Sequence, residues 1–259
     1  MRQLGILLLL LCGVCLSLAA AEHEPWTPGR IEQLLQHAQQ LHDPGEQIGY
    51  ISQQLLNTHY QAHTLIGSSH TPEQLVARLD ALDCMTFIEN LEALRRSDSF
   101  PAYLDNLQQV RYKNAHVEFS HRNHFFADWP ISNAPMIQDV TQLVAEGAAV
   151  SVSKALNHNG PKFWIPGIPV VNKTVHYLPA SQINQAVLQR LRTGDFVGNY
   201  SELAGLDVNH VGIVIKKGEH VYFRHANADA GIRRVTDEDF LRFFKFQRGI
   251  VVFRAYRND

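Results

Sequence analysis

Three residues have the types and spacing for nucleophilic chemistry: Cys84, His210 and His225. Cys84 follows Asp83 and opens a segment in which Phe87, Leu91 and Leu94 recur at helical spacing. A helix that begins there sets the sulfur at the positive end of the helix dipole, among backbone N–H groups without intrahelical partners. Such a place favours a thiolate, the reactive form of cysteine. The same N–H groups can hold the oxyanion of an acyl-transfer intermediate. The Asp83 carboxylate opposes a neighbouring negative charge unless it turns away to cap the helix. A thiol nucleophile also needs a base. His210 heads Asn209-His210-Val211-Gly212-Ile213-Val214-Ile215, an apolar strand candidate, and His225 follows a turn in Arg224-His225-Ala226-Asn227. Pairing of the two strands brings His225 beside His210, where it can orient the imidazole as the third member of a triad. The plainer alternative leaves Cys84 as a small buried apolar residue and each of the 14 histidines as structural or surface.

The elements that must position these side chains belong to a chain of 259 residues, 45% apolar and 19% charged, which is enough to build a packed core. Lys plus Arg number 23 and Asp plus Glu 25, so there is no basic excess and no reason to expect a nucleic-acid partner. Arg2, the apolar run Leu4 to Leu18 and Ala19-Ala20-Ala21 read as a secretory signal over residues 1–21. The run is short for a membrane span, and no later stretch is long and apolar enough for one. Val14 before Cys15 and Leu11 before Cys12 do not suit a lipoprotein signal. The expectation is an exported protein, periplasmic or secreted, without stable membrane insertion after signal cleavage. Cys84 is the one cysteine beyond the signal, so it has no internal disulfide partner.

There is no internal repeat or long linker, and residues 22–259 read as one domain. Pro28 to His42 places Ile31, Leu34, Leu35, Ala38 and Leu41 on one helical face. Asp43-Pro44-Gly45-Glu46 is a cap, a first-turn proline and a capping-box acid for a second helix through about Leu56. Thr71-Pro72-Glu73-Gln74 is a third helix start, although Leu75 to Leu82 also suits an extended segment; Ser99 to Val110 is a further helix. In the second half, Asp195 to Val197 is a short strand closed by Gly198, and Lys216-Lys217-Gly218-Glu219 joins Val211–Ile215 to Val221–Arg224 as a hairpin. Thr236-Asp237-Glu238-Asp239 starts a short helix bearing Phe240, Phe243 and Phe244, and Ile250 to Tyr256 is a last strand. Helices first and antiparallel strands later predict an α+β fold. His116 to Tyr177 carries no clear period.

Leu82-Asp83-Cys84-Met85-Thr86-Phe87-Ile88-Glu89-Asn90, then Asn209-His210-Val211-Gly212-Ile213, then Arg224-His225-Ala226-Asn227 resemble the papain-like NlpC-type cell-wall hydrolase superfamily. The closer match is its N-acetylmuramoyl-L-alanine amidase-like branch. Asn57-Thr58-His59-Tyr60 resembles a Gly-Thr-Pro-Tyr segment of that family, with His59 in place of Pro, and Thr193-Gly194-Asp195-Phe196 its Gly-Asp before the histidine strand. Ser120 to Trp129 resembles a segment of the amidase-like branch, and Asn227 stands where Ser is frequent. In order, the likeness spans about residues 45 to 255. It implies a papain-like NlpC-type fold, N-terminal helices with the nucleophile at a helix N-terminus packed on an antiparallel sheet or half-barrel. It implies roles as well: Cys84 nucleophile, His210 general base and then acid, His225 orienting residue, and Tyr60 a wall or oxyanion contributor.

The activity implied is amide hydrolysis in peptidoglycan or muropeptides through a thioester, at the N-acetylmuramoyl-L-alanine bond, without cofactor or metal. The near alternative is a γ-D-glutamyl-diaminoacyl endopeptidase. Arg122, His124, Asp207 and Asn227 are the candidate substrate contacts; Arg122 suits a forked grip on a carboxylate but equally a surface position. Trp129, Trp164 and Phe163 could stack on a sugar, though such aromatics are more often core. Two other classes stay open: a zinc amidase, for which no His-Glu-x-x-His motif is present, and a non-catalytic wall-binding module.

Overall fold

The structure, a computed structural model, describes residues 25–257; the signal reading for residues 1–21 lies outside them. The helices are α1 (Pro28–Ala38), α2 (Pro44–Gln54), α3 (Cys84–Arg95), α4 (Phe100–Arg111) and four short ones: α5 (Trp129–Ser132), α6 (Thr141–Ala145), α7 (Gln185–Arg190) and α8 (Phe240–Phe244). The strands are β1 (His59–Tyr60), β2 (Ala81–Leu82), β3 (Ile137–Asp139), β4 (Val150–Leu156), β5 (His158–Asn159), β6 (Lys162–Phe163), β7 (Val171–Pro179), β8 (Phe196–Tyr200), β9 (Val208–Lys217), β10 (His220–Asn227), β11 (Arg234–Asp239) and β12 (Gly249–Ala255).

The main sheet runs β2-β1-β11-β10-β9-β8-β12-β7-β4, with β3 paired to β12; β1–β2 is its parallel pair. Strand alternation sends side chains to two cores. On β12, Val251 and Phe253 face α1–α4, while Ile250 and Val252 face α6, α7 and α8. The fold is therefore mixed α+β, with a largely antiparallel sheet covered on both faces.

The helix ends are built from local chemistry. Thr27 Oγ1 accepts from Arg30 N, Asp43 Oδ1 from Glu46 N and Ser99 Oγ from Ala102 N, with a proline in the first turn each time. Helix α3 is central and buried nearly all round, so its charges are paired. Glu89 Oε2 accepts from Arg111 Nε at 2.7 Å, and Glu92 Oε1 lies 2.6 Å from both Arg95 and Arg96. Pairing offsets the cost of burying these charges in the helix that carries Cys84.

Three local expectations change in the fold. No helix starts at Thr71. Glu73 is drawn into a tertiary site, where its carboxylate takes the Arg122 fork at 2.6 Å and the Tyr112 hydroxyl at 2.7 Å, and Gln74 N donates to Ile66 O. Gly198 does not close β8; it lies mid-strand because a side chain there would collide with Val208 and Phe126. Residues 236–239 belong to β11 rather than to a helix: Arg224 and Asp237 face each other across β10–β11 and pair at 2.6 and 2.8 Å. The helix begins at Phe240, with Asp239 as its cap. The middle segment without a clear period contains short 3-10 turns and the long β4–β7 ladder, Val150↔Tyr177 to Leu156↔Val171.

Candidate active site

Asp83 and Thr86 form a reciprocal capping box. Asp83 Oδ1 accepts from Thr86 N at 2.8 Å, and Thr86 Oγ1 accepts from Asp83 N at 2.9 Å. The Asp83 carboxylate is thus turned to the helix end, and Cys84 occupies the first helical position, half-buried, with a free thiol. The main chain of Val211, Met85 and Cys84 itself acts on the thiol. It favours the thiolate, but burial and the Asp83 charge outweigh it and push the thiol up to about 12.

The sulfur therefore sits against the start of β9, and His210 is the residue before Val211. A register shift between β8 and β9 sets Asn199 opposite His210 and Tyr200 opposite Val208, leaving Asn209 as a bulge. Bulges re-aim neighbouring side chains. Across the hairpin, Arg224 pairs with Ile213. One step further sets His225 opposite Gly212, two residues from His210 and on the same face. His210 Nε2 and His225 Nδ1 are 2.6 Å apart. The engaged nitrogen of His210 is Nε2, so Nδ1 is the ring nitrogen without this partner. No hydrogen bond joins Cys84 to His210, whose Nε2 is engaged by His225. The Phe243 ring lies 6.3 Å from the His210 ring and 5.1 Å from that of His225, and Phe223 stacks on His225 at 4.8 Å. This apolar wall lowers His210 to about 4, while burial and the neighbouring His210 take His225 to about 3.

Tyr60 reaches the same place from β1: Tyr60 pairs with Leu82 of β2, and the chain continues through Asp83 into Cys84. Its phenol is raised by burial, then by Cys84 and Asp83, and Arg233 covers its ring at 4.7 Å. The four candidate substrate contacts all have protein partners. Arg122 is forked onto Glu73, and His124 Nε2 lies 2.7 Å from Phe119 O, with burial lowering it to about 4. Asp207 is buried; it accepts from Ala127 N at 2.6 Å and Val208 N at 2.8 Å, and burial raises it to about 6. It ties the segment after His124 to the strand that carries His210. Asn227 Nδ2 donates to Glu238 Oε1 at 3.2 Å, and its Oδ1 accepts from Asp229 N at 2.7 Å. Trp129 is fully buried, whereas Phe163 and Trp164 are exposed on β6 and just beyond it.

Two groups were missed in the sequence: the Val211 main chain, which acts on the Cys84 thiol, and Glu238 beside His225. A main-chain group leaves no signal in residue type, and Glu238 lies in the segment read as a helix start. Among the described residues, no cluster of three or more His, Cys, Asp or Glu side chains could hold a metal ion, and no helix is long and apolar enough to cross a membrane.

The sequence pattern of the N-acetylmuramoyl-L-alanine amidase-like (AmiA-like) family matches residues 50–250, and the chain belongs to that family. Its fold is similar to that of an N-acetylmuramoyl-L-alanine amidase from Bacteroides uniformis, with TM-score 0.70 and 24% identity over 83% of this chain and 99% of that one. It is also similar to a protein from Legionella pneumophila, with TM-score 0.74 and 18% identity over 89% and 94% of the two chains. At these identities the likeness establishes the fold. No curated protein sequence matches the chain.

Proposed function

We propose that the protein is an exported cysteine amidase of papain-like NlpC type, with residues 1–21 as a secretory signal and residues 22–259 as one catalytic domain. Its substrate is peptidoglycan or a muropeptide fragment, cut at the bond between N-acetylmuramic acid and L-alanine. Family membership supports the reaction class, and one observation carries the mechanism. Cys84 lies at the capped start of α3, where the main chain of Val211, the residue after His210, acts on its thiol, and the His210 ring is locked to His225 at 2.6 Å.

With a thiol at about 12 and an imidazole at about 4, both groups rest neutral at neutral pH. No standing ion pair is formed; the proton moves as the bond forms. His210 Nδ1 takes the thiol proton while Sγ attacks the lactyl carbonyl carbon. The oxyanion is held by N–H groups at the start of α3, with the Tyr60 hydroxyl on the adjoining wall. His210 returns the proton to the departing alanine nitrogen, the C–N bond breaks, and a thioester remains. Water, deprotonated by His210, then releases the muramyl acid and regenerates the thiol. His225 keeps the His210 ring oriented, Asp207 fixes the segment behind the strand, and Arg122, His124 and Asn227 shape the substrate side through the bonds described above.

Product mass spectrometry on defined muropeptides, comparing wild type with Cys84→Ala, tests this. Separation of intact peptide from muramyl sugar, abolished in the variant, is the expected result. Release of a dipeptide by cleavage after the γ-D-glutamyl residue would instead favour the endopeptidase reading. Undiminished cleavage by Cys84→Ala would remove the thiol mechanism.

A further inference from the structure

We infer that Glu238 is a positioning residue that fixes the tautomer of His225 and, through it, keeps His210 Nδ1 free to accept the Cys84 proton. The inference rests on the thiol mechanism proposed above. His225 is buried, and its Nε2 has no hydrogen-bond partner. A buried ring nitrogen left in that state costs free energy unless it faces a group that can take its proton. The group it faces is Glu238 Oε2, at 3.4 Å. The β10–β11 register sets His225 opposite Thr236, so Glu238 lies two residues along on the same face.

The rest follows by counting protons. Directed at a carboxylate, His225 Nε2 carries the hydrogen, which leaves Nδ1 as an acceptor in the neutral ring. His210 Nε2 must then donate across the 2.6 Å contact, and its Nδ1 is left with a lone pair. The opposite tautomer would put a proton on His210 Nδ1 and remove the base. The 3.4 Å separation is long for a hydrogen bond and is the kind of contact that tightens when the imidazole pair gains a proton in catalysis.

Glu238 is itself held. Its Oε1 accepts from Asn227 Nδ2, and Asn227 cannot flip because its Oδ1 already accepts from Asp229 N. Other charges face the pair: Asp237 acts on His225, Asp229 on both His210 and Glu238, and Arg242 on Glu238. None of these lies within ion-pair distance of His225 Nε2, whereas Glu238 does.

The locked Asn227 makes Glu238→Gln a sharp test. The glutamine oxygen must face Asn227 Nδ2, so its amide N–H₂ faces His225 Nε2 and forces the proton onto Nδ1. The conservative variant should therefore be worse than Glu238→Ala, where water can occupy the space. The readouts are the rate of iodoacetamide labelling of the Cys84 thiol across pH and the ¹⁵N shifts of the His225 ring, assigned with His225→Gln. Wild type should show the Nε2–H tautomer and labelling much faster than His210→Ala. Glu238→Gln should show the Nδ1–H tautomer, with labelling and turnover reduced on the order of 10²-fold, and Glu238→Ala an intermediate loss. Glu238→Gln at the wild-type rate and tautomer overturns this inference alone. Wild type labelling no faster than His210→Ala overturns the thiol mechanism and this inference with it.

Discussion

Removing the Phe243 ring should move the acid limit of the reaction by about two pH units. The Phe243 ring lies 6.3 Å from the His210 ring, and burial is the largest cause of the depression of that imidazole to about 4. A base with that value is still about nine-tenths neutral at pH 5, whereas one at about 6.5 is only about 3% neutral there. Wild-type kcat/KM on a muropeptide should thus be nearly the same at pH 5 and pH 7.5. Phe243→Ala admits water to the pair and lets His210 rise toward its ordinary value, so kcat/KM at pH 5 should fall by up to roughly 30-fold against pH 7.5. The fold needs a parallel check, because His210, His225 and His124 are all depressed. A histidine that is harder to protonate when folded leaves stability intact above about 6.5, loses it as pH falls, and reaches the full loss at its folded value. That window runs from about 6.5 down to about 3 to 4. Asp207 acts the other way: held at about 6, it adds stability as pH falls through that value, complete below about 3.8. Circular dichroism at pH 5 separates the two effects. A wild-type acid limb near pH 6.5 on a fully folded protein would refute the reasoning.

Three further outcomes follow from the packing. Arg111→Met leaves Glu89 buried without its partner and should cost about 3–5 kcal/mol in urea unfolding at pH 7.5, less at pH 5 where Glu89 protonates more readily; Glu89→Gln combined with Arg111→Met should recover most of it. Asp83→Ala removes the cap of α3 and should cost about 1 kcal/mol by thermal or urea unfolding, yet remove a charge that disfavours the thiolate, so Cys84 labelling at fixed pH should rise; Asp83→Asn should keep the stability and the faster labelling. Lys154 donates to the carbonyl oxygens of Ser201, Leu203 and Leu206, so Lys154→Met should open residues 201–206 to limited proteolysis without altering the Cys84 labelling rate.

What could be read from the sequence was what is encoded locally. The caps at Asp43, Asp83 and Ser99 and the turn Lys216–Glu219 declare themselves through neighbours three or four residues away, and the hairpin alone brings His225 to His210. The features that could not be read depend on distant partners. Thr71-Pro72-Glu73 has the pattern of a helix start, but Glu73 is claimed by Arg122 and Tyr112 from another part of the chain. Arg122 for the same reason is already paired, which its residue type could not reveal. Glu238 has the pattern of helix-start acidity, but the Arg224–Asp237 pairing sets β11 in register with β10. Helix α3 has a weak apolar face because it is surrounded, and its polar positions are used for internal ion pairs.

The most direct test of the central claim is intact-protein mass spectrometry of the enzyme quenched in acid during turnover of a muropeptide. The account predicts a mass increase equal to the muramyl acyl group, mapped to Cys84, lost in Cys84→Ala and formed far more slowly in His210→Ala. Sustained cleavage with no adduct on Cys84, unchanged in Cys84→Ala, would contradict it.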